Sequence, residues 1–396
     1  MNKLYNTELD IVNGLSNFFT NIDFNFSKPQ FKILPHILSS IIKAENITTA
    51  DISKTFIDDS FLTNNESIQK KLWRFFNNPK FNGLDFFNAS IKHIINNLKT
   101  IKHDKLVVTI DHMYVRNNYV VLMFSFKVGT QSIPLYFKCD KTKSNRHREI
   151  DELTKKCLFS EKIILSAIDD VIKLLSPLKL KITFLADRWF FNFNLIKHIA
   201  DKGHYFCIRA KVNSDAKFLC YDKKEKREIY KKFTDLPIQK EHATYHSIVV
   251  GSFKFRCNLS IARGKLSDDP WFILSNIEPN KALREYAHRF GTIECLFKNQ
   301  KTNGFNLEKT KVKNLHAFEN LYSLVCFACT WLVIIGTDYS KSYNKVKHSL
   351  NIRFIKINKG KKTRILSLFN LGLTIFRKVY NSYINYKIKC NMQLYL

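Results

Sequence analysis

The chain is short of acidic residues, and this deficit constrains its partners. It has 34 Asp and Glu against 64 Lys and Arg, so its formal net charge is +30 at pH 7. A surplus of this size indicates a polyanionic partner, and nucleic acid is the first candidate. Codon bias in an AT-rich genome also enriches lysine, and it is the alternative source of part of the surplus. The charge is most unbalanced in the region 337–396, which holds one acid, Asp338, against 13 Lys and Arg. This predicts a surface that contacts DNA phosphates rather than a merely solvated tail.

Glycine and proline are also scarce, with 11 and 8 residues. The sequence has no long Gly/Ser or Pro linker and no internal repeat, so we expect its parts to pack together. The apolar run 321–335 is about 15 residues long, short of the roughly 20 that cross a bilayer. It predicts a buried helix and no membrane partner.

The nine cysteines follow no disulfide-like rhythm, and the sequence opens without a signal peptide. Both observations predict a protein of the reducing cytoplasm, and the basic charge predicts association with the nucleoid. Cys326 and Cys329 form a CxxC pair inside the apolar run, without a second pair. We therefore interpret them as core thiols rather than zinc ligands.

Residues 1–100 are predicted to form a helical DNA-binding domain. A short capped helix at Thr48–Ile57 precedes a polar break. The next helix, Ser67–Phe76, has apolar residues on one face and basic residues on the other. The pair resembles a helix-turn-helix whose second helix offers Lys70 and Arg74 to DNA. A plain helical bundle with a basic outer face is the alternative.

The pattern changes after residue 100, where β-branched and aromatic runs predict strands. Three strands, a helix, a strand, a helix and a strand define a mixed α/β sheet flanked by helices. In that order, two strands that end in acids can lie side by side, as in the ribonuclease-H-like fold. The predicted strands are Leu106–Asp111, Tyr119–Gly129, Gln131–Lys141, Lys181–Asp187 and His204–Lys211, and the predicted helices are Arg148–Leu175 and Phe193–Ala200.

A charged segment and three β-like runs then interrupt the alternation and predict a β-rich insertion at 212–279. We therefore assign 101–211 and 280–336 to one ribonuclease-H-like domain. The region 337–396 is a separate basic C-terminal region.

Three carboxylates stand out in this arrangement: Asp111 on the first strand, Asp187 at the end of the fourth, and Glu294 on a later helix. Clustered carboxylates repel each other and need a cation, and their oxygens select Mg²⁺, with Mn²⁺ as the alternative. Two such ions about 3.5–4 Å apart clamp the attacking and leaving oxygens of a phosphoryl displacement. An aspartate that closes a strand is also a common turn residue, so the set of three carries this prediction.

The segment 286–308, YAHRFGTIECLFKNQKTNGFNLE, supplies the third acid. Glu294 and Lys301 are seven residues apart, so a helix places them on one face, two turns from each other. A carboxylate beside a lysine in a basic chain suggests a metal ligand beside a phosphate contact. An ordinary amphipathic surface helix is the alternative.

With these motifs the chain resembles the IS4-type DDE transposases of bacterial insertion sequences. The matching pieces are TIDHMYV around Asp111, FLADRWFF around Asp187, PWFILSN at Pro270–Asn276, and the segment 286–308. That family also carries a β-rich insertion before its glutamate. The resemblance implies that the three acids bind two divalent ions, that a transposon end is nicked, and that the freed 3′-OH attacks target DNA.

The resemblance also assigns Tyr286, Arg289 and Lys301 to the phosphates of the transposon end, which suits the chemistry of Arg and Lys. Trp271 is a candidate platform for an extruded base, and a core tryptophan is the alternative. Arg188 is a candidate for orienting the site or contacting DNA, and a surface salt bridge is the alternative.

The spacing before the glutamate departs from the family pattern, because four residues rather than three separate Arg289 from Glu294. In a regular helix the extra residue rotates Tyr286 and Arg289 by about 100° relative to Glu294. We therefore predict a π-bulge or kink near Gly291, which a regular helix over 284–301 would contradict.

Three functions remain open at this point. The first is an active transposase that works on double-stranded DNA as a homodimer. The second is a ribonuclease-H-like nuclease without strand transfer, and the third is a catalytically inactive DNA-binding protein. The complete set of three acids favours chemistry.

Overall fold

A computed structural model describes most of the chain. The described residues are 2–56, 64–98, 105–116, 118–129, 131–142, 159–211, 217–222, 226–236, 242–251, 254–263, 270–350, 352, 355–358 and 361–381.

A 10-stranded mixed sheet lies at the centre of the described structure. Its strands are β1 (Lys105–Val115), β2 (Tyr119–Val128), β3 (Gln131–Lys141), β4 (Lys181–Ala186), β5 (Tyr205–Arg209), β6 (Lys217–Asp222), β7 (Arg227–Lys232), β8 (His242–Val250), β9 (Phe255–Ala262) and β10 (Trp271–Ser275). They lie in the order β3-β2-β1-β4-β5-β10-β9-β8-β6-β7.

The first five strands confirm the predicted α/β architecture and the ribonuclease-H-like arrangement. β1 pairs in parallel with β4, and β4 pairs in parallel with β5. β2 and β3 continue the sheet as antiparallel strands on the other side of β1. Parallel neighbours need a crossover connection, and the predicted helices between them supply it.

The strands of the segment 212–279 extend this same sheet. β10 pairs antiparallel with β5, with Ile273 opposite Arg209, and β9 and β8 follow. The segment is β-rich as predicted. It also holds β6 and β7, two strands that its charged sequence concealed, because β7 is largely exposed and needs no apolar alternation.

The helices surround the sheet and supply most of the core. They are α1 (Asn2–Phe19), α2 (Lys28–Ala44), α3 (Thr49–Thr55), α4 (Asn65–Phe76), α5 (Gly83–Asn96), α6 (Glu161–Leu175), α7 (Phe193–Asp201), α8 (Pro279–Ala287), α9 (Ile293–Lys298), α10 (Leu315–Leu350) and α11 (Leu368–Asn381).

Two predicted elements differ from the structure. The helical stretch predicted over Arg148–Leu175 is interrupted at Phe159 and Ser160, which are not helical. Helix α6 begins at Glu161, because the Ser160 side chain caps it by accepting a hydrogen bond from the backbone N–H of Ile163; residues 148–158 lie outside the described residues. The first strand does not end at Asp111. It continues to Val115, because its antiparallel pairing with β2 runs on past the last residue that pairs with β4.

The N-terminal helices pack on the same core as the sheet. Thr48 caps α3, as predicted, and α3 contacts α4. Asn320 of α10 joins this layer to the rest: its Nδ2 donates to the Phe76 carbonyl, and its Oδ1 accepts the Gly83 backbone N–H. A buried amide whose nitrogen donates and whose oxygen accepts a hydrogen bond favours one fixed orientation between the helices that it joins.

The predicted buried helix at 321–335 is confirmed as the middle of α10. The window around it, within Leu315–Ser342, is long and apolar enough to cross a membrane, but 94% of that window is buried inside the protein, as in a core helix. Cys326 and Cys329 lie in this core, and both thiols are free and buried. The prediction of core thiols is therefore confirmed.

The basic C-terminal region contains a two-stranded hairpin, β11 (Ile355–Asn358) and β12 (Lys361–Arg364), before α11. Lys361–Arg364 of the basic run 359–364 form its second strand, and residues 359–360 lie outside the described part of the chain. Residues 382–396 lie outside the described part, and the DNA-contacting surface proposed for this region stays a prediction.

Candidate active site

Asp111 and Asp187 lie side by side, the first on β1 and the second directly after β4. Ile110 of β1 is the register partner of Ala186 of β4, so an aspartate follows each partner in the chain. Side chains alternate between the two faces of a strand, so Asp111 and Asp187 share the face that also carries Leu185. This is the juxtaposition that the sequence predicts.

Each aspartate uses one oxygen to fix its own position. Asp111 Oδ1 accepts the backbone N–H of His112 at 2.9 Å, and Asp187 Oδ1 accepts that of Arg188 at 2.6 Å. The other oxygen of each carboxylate faces the guanidinium of Arg289. Both side chains are mostly enclosed, with 12% and 17% of their surface exposed.

The segment that carries the third acid is broken rather than continuous. α8 ends at Ala287 and α9 begins at Ile293, and Gly291 between them has a φ of +75°. Glycine adopts this left-handed conformation without steric cost, and it interrupts the helix. The kink predicted near Gly291 is confirmed, and this described segment has no regular helix over 284–301. The turn absorbs the extra residue before Glu294.

The turn aims Arg289 into the acids. Thr292 ties it down, because its hydroxyl donates to the carbonyl of His288 at 2.6 Å and to that of Arg289 at 3.1 Å. Arg289 Nη2 lies 2.7 Å from Asp111 Oδ2 and 3.6 Å from Asp187 Oδ2. Its Nη1 lies 3.4 Å from Glu294 Oε1. One guanidinium therefore contacts all three predicted acids.

Burial sets the electrostatics of the site. Desolvation raises the pKa of Asp111 to about 6, although the Arg289 guanidinium and the His112 backbone N–H both lower it. Burial lowers the pKa of His112 to about 4, so this imidazole is neutral at pH 7. The acids raise the pKa of Arg289 above its ordinary value and keep the guanidinium charged against its own desolvation.

The carboxylate oxygens of Asp111, Asp187 and Glu294 are the type of ligand that a hard divalent ion takes. They already contact one cationic group, the guanidinium of Arg289. The two aspartates face one guanidinium nitrogen and Glu294 faces the other. Within the described residues, no three His, Cys, Asp or Glu side chains are placed to hold one metal ion together. Arg289 lies between the carboxylates, within 2.7 to 3.6 Å of all three.

Lys301 lies beyond α9, in a π-helical turn over Asn299–Asn303. Its Nζ lies 2.9 Å from Glu308 Oε1, and the other oxygen of Glu308 accepts the backbone N–H of Arg116 at 2.7 Å. Because the helix type changes before Lys301, the seven-residue spacing from Glu294 no longer implies one shared α-helical face.

Tyr286 and Trp271 lie in a small aromatic cluster beside the acids. Tyr286 is fully buried, and its hydroxyl has no hydrogen-bond partner among the described residues. Trp271 is half-buried at the start of β10 and stacks on Phe290, with centroids 5.0 Å apart, while Arg209 lies over its ring. Phe290 remains 38% exposed. The enclosure of Tyr286 separates its hydroxyl from solvent, and its contact with DNA stays a prediction.

The other predicted DNA contacts are Arg188, which is half-buried, and two exposed residues of α4. Arg188 begins a short 3₁₀ turn directly after Asp187. Lys70 is an exposed residue of α4 that pairs with Glu66 at 2.8 Å. Arg74 is exposed one turn later, and between them lies Trp73, which is 63% exposed.

Comparison with known families adds an independent observation. A family model described as Transposase DDE domain matches residues 165–331, which contain Asp187 and Glu294. The match supports a DDE transposase. It covers less than half of the chain, and Asp111 lies ahead of it. No curated protein matches the sequence.

A transposase domain implies DNA as the substrate. Two features of the candidate site do not follow from the sequence. The first is the convergence of all three acids on Arg289, which depends on the turn at Gly291. The second is Phe290, which extends the Trp271 ring surface. Its place directly after Arg289 in the sequence is the one available signal, because neighbouring residues on a turn lie close together in space.

Proposed function

We propose that this chain is an IS4-type transposase of a bacterial insertion sequence. It cuts transposon ends and joins them to target DNA by two-metal phosphoryl transfer. The observation that carries the proposal is the convergence of Asp111, Asp187 and Glu294 on one guanidinium, 2.7 to 3.6 Å away. Asp111 and Asp187 are mostly enclosed and Glu294 is 52% exposed. Together these carboxylates would attract divalent cations in a chain whose formal net charge is +30.

Bound Mg²⁺ or Mn²⁺ would activate the attacking water or 3′-OH and stabilise the charge that develops at phosphorus. The three carboxylates would hold these ions. Arg289 and Lys301 would grip phosphate oxygens of the transposon end, the first through its planar fork and the second as a point charge. Trp271 would stack on an unpaired base at the cleaved end.

The remaining parts of the chain would position the DNA. Lys70 and Arg74 on α4, Arg188 and the basic region 337–396 would contact duplex phosphates, and Tyr286 would support the transposon end. Joining two ends requires two active sites, so we propose a homodimer on DNA, acting in the cytoplasm at the nucleoid.

The test uses a supercoiled plasmid that carries the gene with its flanking DNA, a second plasmid as target, and Mg²⁺. We expect cleavage at the transposon ends and insertion of the transposon into the target plasmid. Asp187→Asn should abolish both while DNA binding is retained, and Glu228→Gln, an exposed acid of the segment 212–279, should change neither.

The outcomes separate the three candidate functions. Cleavage without insertion would favour the nuclease. DNA binding without cleavage in the native chain would favour the inactive binding protein. Cleavage that survives Asp187→Asn would overturn the site assignment. Short inverted repeats on both sides of the gene would support the IS4 assignment independently.

A further inference from the structure

The position of Arg289 has a consequence for how the site takes up metal. The guanidinium lies among the carboxylates that the proposed function assigns to cations. With 7% of its side chain exposed, it is enclosed with Asp111 and Asp187 rather than spread over the surface. A cation that enters this space meets a positive charge already in place.

The pairing of Arg289 is incomplete. One contact, to Asp111, has the 2.7 Å length of a charge-assisted hydrogen bond, and the contacts to Glu294 and Asp187 are longer, at 3.4 and 3.6 Å. Its buried Nε has no hydrogen-bond partner in the described part of the chain. A buried donor without an acceptor costs roughly 1–3 kcal/mol. An acceptor that engages Nε together with one Nη would remove this cost.

A phosphate group has the shape for that second arrangement, because two of its oxygens match the guanidinium fork. The charges point the same way. One guanidinium faces three carboxylates, so the cluster with its acids ionised keeps a net negative charge that attracts divalent ions. While Arg289 remains between the carboxylates, it neutralises them in part and repels an incoming ion.

We propose that Arg289 is the internal counter-ion of the metal-free site and that DNA releases it. A phosphate of the bound DNA draws the guanidinium from the carboxylates, and the vacated space then takes divalent metal. This inference rests on the proposed function and adds a coupling to it. DNA raises the affinity for metal, and by linkage metal raises the affinity for DNA by the same factor.

The test measures Mn²⁺ binding to the full chain by electron paramagnetic resonance, with and without a duplex from the element's end. Without DNA, Arg289→Gln should bind Mn²⁺ on the order of tenfold more tightly than the native chain. With DNA, the native affinity should rise by a similar factor, and that of Arg289→Gln should not. Arg289→Lys keeps the charge and should stay close to the native chain without DNA.

Arg284→Gln is the matched control. Arg284 is exposed on α8, five residues before Arg289, and its loss also removes one positive charge. Its Mn²⁺ affinity should stay within about twofold of the native value, because an exposed charge is screened. Thermal unfolding by circular dichroism identifies any variant that fails to fold. If Arg289→Gln does not fold, Arg289→Lys is compared with the native chain instead. Because its ammonium still pairs with the acids, its Mn²⁺ affinity without DNA should be native-like.

Two results would overturn the inference. One is Mn²⁺ binding to Arg289→Gln that is equal to or weaker than native binding, which would make Arg289 a structural support. The other is a native Mn²⁺ affinity that DNA leaves unchanged. Absence of Mn²⁺ binding from every variant would overturn the proposed metal chemistry as well. Normal coupling without cleavage or insertion would leave the inference standing and count against the proposed function.

Discussion

Ile110 and Ala186 are register partners in the parallel pair of β1 and β4, and each is followed by an aspartate. The backbone alone therefore brings Asp111 and Asp187 together on one face of the sheet. Neither position depends on a flexible loop, since each carboxylate also accepts the N–H of the following residue. β1 and the end of β4 supply two fixed acids, the turn before α9 supplies Arg289, and α9 itself supplies Glu294.

Asp111 makes the stability of the fold depend on pH. Its pKa is raised from an ordinary value of 3.8 to about 6, so the folded state binds this proton more strongly than the unfolded chain does. Its contribution to the unfolding free energy is complete below about pH 4 and is lost as pH rises through about 6. Without metal, Asp111→Asn should remove this loss, which is roughly 3 kcal/mol at most.

Urea unfolding between pH 4.5 and 8 checks this prediction. The native curve should fall with pH relative to the Asp111→Asn curve, so that the variant is the more stable protein at pH 8. Glu228→Gln, at an exposed ion pair, should follow the native curve. Parallel native and Asp111→Asn curves would show that the charged carboxylate is fully compensated by Arg289.

Gly291 should be needed for its backbone conformation alone. Its φ is +75°, and an added Cβ would meet no described atom within 4 Å. Gly291→Ala should therefore lower the unfolding free energy by about 1 kcal/mol, through the left-handed strain of a side chain. Any relaxation of that strain turns Arg289 relative to Glu294, so DNA cleavage should fall as well.

Gly129 offers the matched control for this variant. It has a φ of +59° and equally open surroundings among the described atoms, but it directly follows β2, six residues beyond Met123, the register partner of Asp111. Gly129→Ala should show a similar loss of stability and native cleavage. Equal cleavage by both alanine variants would mean that the turn at Gly291 does not position the site.

The hydroxyl of Thr292 should be needed to hold the same turn. It donates to two carbonyls, of His288 and Arg289, and the residue is buried. Thr292→Val keeps the shape and removes the donor, so the unfolding free energy should fall by about 1 kcal/mol or more. Thr292→Ser keeps the hydroxyl and should restore cleavage that the valine variant loses. Loss of cleavage in both variants would assign the effect to the methyl group instead.

The architecture followed from the sequence to a large extent, because a strand's period and its terminal acid are local signals. The parallel pairing of Lys181–Ala186 with the first strand confirms the prediction that the two strands followed by acids lie side by side. The extension of the sheet by 212–279 did not follow, since only distant pairing decides which edge an antiparallel strand joins. The convergence on Arg289 was also hidden, because its partner Asp111 lies 178 positions away in the sequence. The extra residue between Arg289 and Glu294 is visible in the sequence and predicts the kink at Gly291. Only the fold shows that this kink brings Arg289 against all three acids.

Trp271 and Phe290 should act as one stacking surface. Their rings are nearly parallel, with an interplanar angle of 18° and centroids 5.0 Å apart, and Phe290 is partly exposed. With a 2-aminopurine base at the cleaved end, the native chain should quench its fluorescence by stacking. Trp271→Ala should lose most of this quenching and weaken binding by about 1–3 kcal/mol. Trp73→Ala, at an exposed tryptophan of α4, is the control and should keep the quenching.

Lys301 should contribute one phosphate contact whose strength Glu308 limits. The two side chains pair at 2.9 Å, and the pair is partly exposed. Lys301→Ala should reduce the slope of log affinity for DNA against log salt by about 0.9, the value for one phosphate. Glu308→Gln releases the lysine charge and should raise affinity at low salt while keeping the slope at least as steep. Titrations at several salt concentrations by fluorescence anisotropy measure both effects, and an unchanged slope in Lys301→Ala would place the lysine away from the DNA.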